Sequence, residues 1–339
     1  MRKPVALSAL AAALLLGLFW WWQAAHRGAL VVYCAHDAIY AETILRDFEK
    51  RTGIPVDIRY DTEATKSLGL TELLIREKDA PRCDVFWNNE LLGTLDLQER
   101  GLLQPYQGSG YARIPAAFKA SDGSWTGFAA RMRVIIYNTA KIGSTPPNLT
   151  ALIPGSDLSR IAIAKPLYGT TLTHYTVLWH AWGGDKIKVW HRQWRHDGVK
   201  ELDGNAAVKD AVAEGACYAG FADTDDFFEA KDDGKPVAMS PVRLDDGKTI
   251  CIPNTVALIR GSKRTRAARK LVDFLLSEET ELALANSRSR QIPLGPVPAE
   301  RLSDQVRELA RWARDGVDLA LLGPARAECL AWLKSEYLP

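Results

Sequence analysis

Short apolar runs alternate with longer amphipathic stretches between residues 29 and 101. The runs ALVVYCA, IPVDIRYD and CDVFWNN predict strands, because continuous apolar segments of this length suit strands that are buried on both faces. The segments AIYAETILRDFEKRTG, SLGLTELLIREKD and ELLGTLDLQERG predict helices, and Gly53 and Gly101 are natural helix stops. Strands and helices that alternate in this way predict an open parallel sheet with helices on both sides.

A second α/β series follows. It contains a strand over Ile161–Ala164, a helix from Leu172 to Gly183 and the strand ACYAGFA. Two long strands, Arg131–Asn138 and Pro253–Ile259, are suited to cross between two lobes. We therefore predict an α/β fold with two open mixed sheets, hinge strands and a central cleft. Lobe 1 would comprise residues 29–132 and 255–339, including a helical tail, and lobe 2 residues 133–254.

The N-terminus carries Arg2 and Lys3, followed by a run of 22 uncharged residues from Pro4 to Ala25 that includes Trp20–Trp22. A positive start before an apolar run is typical of an export signal, and the run is also long enough to span a bilayer. Tryptophans suit a membrane interface. Residues 1–28 are thus predicted to be a signal peptide or an uncleaved anchor. The remaining chain is predicted to be periplasmic or extracytoplasmic, and an uncleaved anchor would tether it to the inner membrane.

Composition narrows the possible functions. A net charge of +2 over 339 residues argues against a nucleic-acid-binding surface. The densest basic run, GSKRTRAARK at 261–270, is interpreted as a solvated helix face. Five cysteines without a C-x-x-C pair do not suit zinc ribbons or thioredoxin chemistry. Export would permit a Cys217–Cys251 disulfide, and buried thiols are the alternative.

Polar residues follow each of the first three predicted strands, where the carboxyl ends of parallel strands meet and ligands of such sheets bind. They are His36 and Asp37, then Thr62 and Glu63, then Asn88, Asn89 and Glu90. Helix capping alone would explain Asp37 and Asn89. It explains His36 and Glu63 less well, since neither residue type is a preferred cap.

An acidic run stands at a carboxyl edge of the second series, after the strand ACYAGFA. Asp223, Asp225 and Asp226 flank Thr224. Carboxylates this close raise one another's pKa unless a positive charge lies among them. A metal ion would supply that charge, because carboxylates and imidazoles are metal ligands. A capped helix start is the alternative, with Asp223 as the cap and the other two favourable in the first turn.

Three segments, VVYCAHDAIYAETILRDFEKRTGIPV, CDVFWNNELLGTLDLQERGLLQPY and AARMRVIIYNTAKI, resemble the bacterial extracellular solute-binding proteins of ABC importers. They are most similar to the periplasmic ferric-iron-binding branch, and the resemblance extends over residues 29 to 295. It implies a two-lobed, type II periplasmic-binding-protein fold. It also implies a monomer that is not an enzyme, an ABC permease as membrane partner, and iron or another metal ion as cargo rather than as a catalytic cofactor.

The resemblance also implies site residues. His36 stands where that family has its histidine, and Glu90 lies beside the family's glutamate position, here Asn89. The family's tyrosine pair falls on Thr224 and Asp225, and Tyr168 offers one phenolate. The expected metal ligands are His36, Glu90, Tyr168, Asp223, Asp225 and Asp226. Further expected ligand contacts are Asp37, Thr62, Glu63, Asn88, Asn89, Arg131, Thr170, Thr171 and Thr224.

Other interpretations stay open. An organic cation would use the same carboxylates with aromatic walls from Trp87, Trp125 and Phe227. Arg131 and Lys66 would instead bridge the acidic groups or bind an anionic ligand such as a phosphorylated small molecule. In another class, the D-x-D of Asp223 and Asp225 is typical of some metal-dependent transferases and hydrolases, although neither a P-loop nor an H-E-x-x-H motif accompanies it.

Overall fold

The computed structural model describes residues 28–61, 67–143 and 158–338. The predicted signal or anchor, apart from Gly28, lies outside the described residues, as do Thr62, Glu63 and Lys66. Among the described helices, none combines the length and the apolar character needed to cross a membrane.

Strands and helices alternate as the hydrophobic pattern predicts. The strands are β1 (Leu30–Cys34), β2 (Val56–Tyr60), β3 (Val85–Asn88), β4 (Leu103–Gln104), β5 (Thr126–Asn138), β6 (Ile161–Ala164), β7 (Lys200–Leu202), β8 (Ala219–Asp223), β9 (Val237–Pro241) and β10 (Cys251–Ile259). The helices are α1 (Ala38–Thr52), α2 (Leu68–Arg76), α3 (Leu92–Glu99), α4 (Ser109–Arg113), α5 (Gly169–Trp182), α6 (Gly184–His196), α7 (Asn205–Ala213), α8 (Thr224–Asp232), α9 (Thr265–Leu275), α10 (Glu278–Ala285), α11 (Asp304–Ala313) and α12 (Gly323–Tyr337).

The strands form one hydrogen-bonded sheet in the order β2-β1-β3-β10-β5-β8-β6-β7, with β4 on β10 and β9 on β5. β1 pairs in parallel with β2 and β3, whereas β10 runs antiparallel to β3 and β5. The two-lobed α/β fold is thus confirmed. The two predicted mixed sheets are the two halves of this sheet, and β5 belongs to both halves.

Of the two strands predicted to cross between the lobes, β5 pairs with strands of both halves; it has 13 residues, all of them buried. The other, within β10, pairs with β3, β4 and the first part of β5. The second part of β5, Arg133–Asn138, pairs with β8 and β9. The strand begins five residues earlier than predicted, because the preceding segment TGFAA resembles a loop in sequence yet is fully buried. The register shifts opposite Pro253/Asn254, and Ala129 takes a φ of 42°, so the ladder is irregular where the lobes join.

The bounds of the two lobes stay a prediction, and the tail contacts both. Leu309 in α11 packs in the lobe 2 cluster with Val134. In α12, Trp332 packs on Trp179 of α5 with ring centroids 5.6 Å apart, and Arg326 lies 3.4 Å from Asp96 of α3. Cys217 and Cys251 are buried thiols and do not form the disulfide considered above.

Candidate functional site

A cavity of about 130 Å³, open to solvent, lies between the two lobes at the carboxyl edges of their strands. Nine of the predicted site residues line it: Asp37, Asn89, Arg131, Tyr168, Thr170, Thr171, Asp223, Asp225 and Asp226. The rule that ligands bind beyond the carboxyl ends of parallel strands therefore located the cleft. His36, Asn88, Glu90 and Thr224 lie behind its wall.

The acidic run both ends β8 and starts α8. Asp223 is the N-cap of α8 and forms a capping box with Asp226, whose Oδ2 accepts a hydrogen bond from the Asp223 backbone N–H at 3.0 Å. Two orphan N–H groups of the helix start are satisfied in this way. Thr224 likewise serves the backbone, since its hydroxyl accepts from the Met132 N–H at 3.2 Å. The capped helix start is therefore real, and it leaves Asp225 and Asp226 facing the cleft.

Asp223 is neutralised by Arg133, which the sequence analysis did not single out. The Arg133 Nη1 donates to Asp223 Oδ1 at 2.8 Å, and both residues are buried. Asp223 Oδ2 accepts from the Thr170 hydroxyl at 2.6 Å and from Asn205 Nδ2 at 3.1 Å. Both oxygens of this carboxylate are thus engaged by the protein itself. A signal existed in the sequence, because Arg131 and Arg133 lie two residues apart in an apolar strand, and a buried charge requires a partner.

Arg131 occupies the junction between the lobes. Its Nη1 lies 3.2 Å from Asp225 Oδ2 and 3.9 Å from Asp37 Oδ2. Burial alone would lower the pKa of Arg131, but the fields of Asp225, Asp223 and Asp37 raise it above its ordinary value. The buried guanidinium groups of Arg131 and Arg133 therefore supply part of the positive charge that balances the crowded carboxylates.

His36 is held by the protein on both ring nitrogens. Arg131 Nη2 lies 2.8 Å from Nδ1, and because guanidinium only donates, Nδ1 is the acceptor and Nε2 carries the proton. With the amide of Gln291 turned so that its oxygen faces the ring, that oxygen accepts from Nε2 at 3.2 Å and from Arg131 at 3.0 Å. Trp87 stacks on the ring at 5.3 Å. Both ring nitrogens of His36 are thus engaged by the protein in this structure, and its role as a metal ligand stays a prediction.

Glu90 is also committed elsewhere. Its carboxylate accepts from the N–H groups of Leu92 at 2.5 Å and Gly93 at 2.7 Å, at the start of α3, and from the Ser67 hydroxyl at 2.6 Å. Its Oε1 also accepts from Asn88 at 3.2 Å. Glu90 and Asn88 therefore belong to a buried hydrogen-bond network, and their role as cleft ligands stays a prediction.

Asp226 lies among carboxylates whose negative charges are not fully balanced by the nearby arginines. Burial and the neighbouring carboxylates of Asp225 and Asp223 hold its pKa well above the ordinary value. The three carboxylates present oxygen atoms that lie within 4.8 Å of one another. Tyr168 and Glu229 line the same cavity. A ligand that enters this cavity therefore contacts carboxylate and phenol oxygens whose negative charge is only partly balanced by the protein.

A two-lobed α/β fold with a polar cleft at the facing sheet edges defines a ligand-capturing binding protein. Residues 30–287 match the model of the family "Bacterial extracellular solute-binding protein", and the chain belongs to this family.

Relatives and solved structures agree with this family. "Iron uptake protein A1" of Synechocystis sp. is 25% identical over 310 residues, which are 87% of this chain and 82% of the relative. The fold is similar to that of iron-bound HitA from Pseudomonas aeruginosa, with a TM-score of 0.81 and 23% identity over 91% of this chain and 99% of that one. It is also similar to that of AfuA from Actinobacillus pleuropneumoniae with fructose-6-phosphate bound, with a TM-score of 0.77 and 18% identity over 91% and 98%.

Proposed function

We propose that this protein is the extracytoplasmic substrate-binding component of an ABC importer. It captures a small cation, with iron or another metal ion as the first choice, and delivers it as a monomer to a membrane permease. The family match supports solute capture, and the name of the Synechocystis relative supports iron as cargo. Residues 1–28 would serve as the export signal or as an uncleaved inner-membrane anchor.

The charge of the cleft is the observation that carries this proposal. Among the described residues, six acidic side chains line the cavity against two basic ones, Arg131 and Lys165. The acidic ones are Asp37, Asp203, Asp223, Asp225, Asp226 and Glu229. Burial and the neighbouring carboxylates together raise the pKa of Asp226, and a cation bound among them would offset both effects. It would also favour closure, because Asp37 belongs to lobe 1 and the other acidic groups to lobe 2.

The proposed ligand set differs from the one the resemblance implied. Asp225, Asp226 and Tyr168 remain candidates, with Asp37 from the opposite lobe. Asp223 contributes charge rather than a free oxygen, since Arg133, Thr170 and Asn205 already use both of its oxygens. The same engagement disfavours a D-x-D enzyme, in which Asp223 would hold a metal ion on a phosphate.

A phosphorylated small molecule is the second candidate. The N-terminal ends of α5 and α7, with Thr170, Thr171 and Asn205, line the same cavity beside Arg131. Helix N-termini and guanidinium groups are favourable surroundings for anions. Such a ligand would place its phosphate there and any hydroxyl or amino group on the carboxylates.

Native mass spectrometry and metal analysis of protein purified without chelator test the proposal directly. We expect a co-purifying metal ion, and a rise in melting temperature when ferric citrate or divalent metal salts are added to the emptied protein. Asp226→Asn should lose that rise, because the amide keeps the capping hydrogen bond but removes the charge. Asp246→Asn, the same change on an exposed loop remote from the cleft, should retain it. Stabilisation by a sugar phosphate and by no cation would instead favour the second candidate.

A further inference from the structure

A basic groove lies on lobe 1 at the edge of the sheet opposite the ligand cleft. It is formed by the start of α9 and by Ile54, and its charged side chains are Lys263, Arg264, Arg266 and Lys270. Among the described residues that line this groove, none is acidic. The groove thus concentrates positive charge beside a small apolar contact.

Three of the four basic side chains are available to a partner. Arg264 is paired with the buried Asp84 at 3.1 Å. In the described part of the chain, no carboxylate lies within 4.0 Å of the charged groups of Lys263, Arg266 and Lys270, and all three residues are exposed. An ordinary solvated helix face would distribute acidic residues among such charges.

The groove surrounds the point where the chain enters the folded body. The Leu30 N–H, at the start of β1, donates to the Pro55 carbonyl at 2.8 Å, next to Ile54. Asp84 Oδ2 accepts both from the Val31 N–H at 2.8 Å and from Arg264 at 3.1 Å, so the N-cap residue of α9 is linked to β1 through one carboxylate.

The number of residues before β1 limits the distance between Leu30 and the uncharged N-terminal run. Only residues 26–29 separate the uncharged run Pro4–Ala25 from Leu30. An extended chain covers at most about 3.6 Å per residue, so Leu30 lies within roughly 18 Å of the end of that run. If the run is embedded in a membrane, the basic groove is held at the lipid headgroups.

We propose that this groove docks on an anionic phospholipid surface, with Lys263, Arg266 and Lys270 as the headgroup contacts. Each basic residue near an anionic membrane contributes roughly a fivefold gain in binding. The inference uses the N-terminal anchor but is independent of which ligand the cleft binds.

Hydrogen–deuterium exchange of the full chain in lipid nanodiscs tests the proposal. We expect the amides of residues 50–57 and 261–267 to exchange at least about fivefold more slowly in discs that contain phosphatidylglycerol than in discs of phosphatidylcholine alone. The difference should vanish near 1 M salt, where the Debye length falls to about 3 Å.

Charge reversal supplies the matched comparison. The triple variant Lys263→Glu, Arg266→Glu and Lys270→Glu should lose the lipid-dependent protection. A control triple variant, Lys200→Glu, Lys231→Glu and Lys235→Glu, makes the same charge change at exposed lysines of lobe 2 and should keep it. Unchanged exchange of the β5 amides would show that both variants are folded.

Two results would overturn the proposal. Equal exchange of the groove in neutral and anionic discs would exclude lipid docking. Protection that requires a co-reconstituted permease, whatever the lipid, would assign the groove to a protein partner instead.

Discussion

Replacing Arg131 with methionine tests the resident positive charge at the centre of the cleft. The guanidinium is 2% exposed and contacts Asp225, His36 and Asn254. Methionine fills similar volume without charge. The variant therefore leaves the buried carboxylate of Asp225 without its counter-charge and His36 without its donor, while the surrounding packing is largely kept.

The expected magnitude follows from the geometry. At the observed 3.2 Å between Arg131 and Asp225, the Coulomb attraction is about 5 kcal/mol for an effective dielectric constant of about 20. Removal of one partner of a buried pair typically costs about 3–5 kcal/mol, because the other charge stays buried. We expect Arg131→Met to lower the free energy of unfolding by that amount. Asp225→Asn in the same background should recover part of the loss.

Urea unfolding followed by tryptophan fluorescence measures the four proteins of this double-mutant cycle. The same samples, titrated with the metal ion that co-purifies with the protein, report affinity. Arg131→Met should bind the cation more tightly, by about tenfold for each 1.4 kcal/mol of repulsion removed. Unfolding energies that add within about 0.5 kcal/mol would refute the coupling, and unchanged or weaker cation binding would refute the role of Arg131 as a competing charge.

Three further predictions concern the scaffold. Glu281→Gln should lower stability by about 2–3 kcal/mol in urea unfolding, because the fully buried carboxylate accepts from Arg113 at 2.6 Å and from three backbone N–H groups. Burial and, to a smaller extent, the charge of Arg195 lower the pKa of His191 to about 4. Between pH 6.5 and pH 4 only the unfolded chain binds this proton, so the free energy of unfolding should fall by about 3 kcal/mol over that range. The fall should be smaller in His191→Gln than in a control variant at the exposed His180. Trp332→Ala should cost about 3–5 kcal/mol in the same assay, with the urea slope unchanged.

Much of the fold was accessible from the sequence because periodicity is a local property. The apolar runs of β1, β3 and β8 and the amphipathic α1 each appear within a few residues, and the position of polar groups at strand ends placed Asp37 and Asn89 at the cleft. The start of β5 was missed because a buried segment containing glycine and alanine has no strong strand signature.

The contacts between side chains within the site could not be predicted from the sequence in the same way. His36 contacts Gln291, 255 positions along the chain, and nothing in the local pattern around either residue indicates that pairing. Glu90 was expected in the cleft, yet the adjacent N–H groups of α3 hold it, since a carboxylate at a helix start competes between ligand and cap. Residue type at a strand end thus predicts proximity to a cleft but not the direction of the side chain.

The uninterrupted β5 strand also constrains protein engineering. A chimaera that takes one half from this chain and the other from a relative would place its junction inside a ladder whose neighbours, β8, β9 and β10, come from different parents. Chimaeras that inherit residues 126–138 together with these three strands from one parent should fold. A junction near Met132 would instead mismatch the side chains of β5 with those of its neighbours in both lobes.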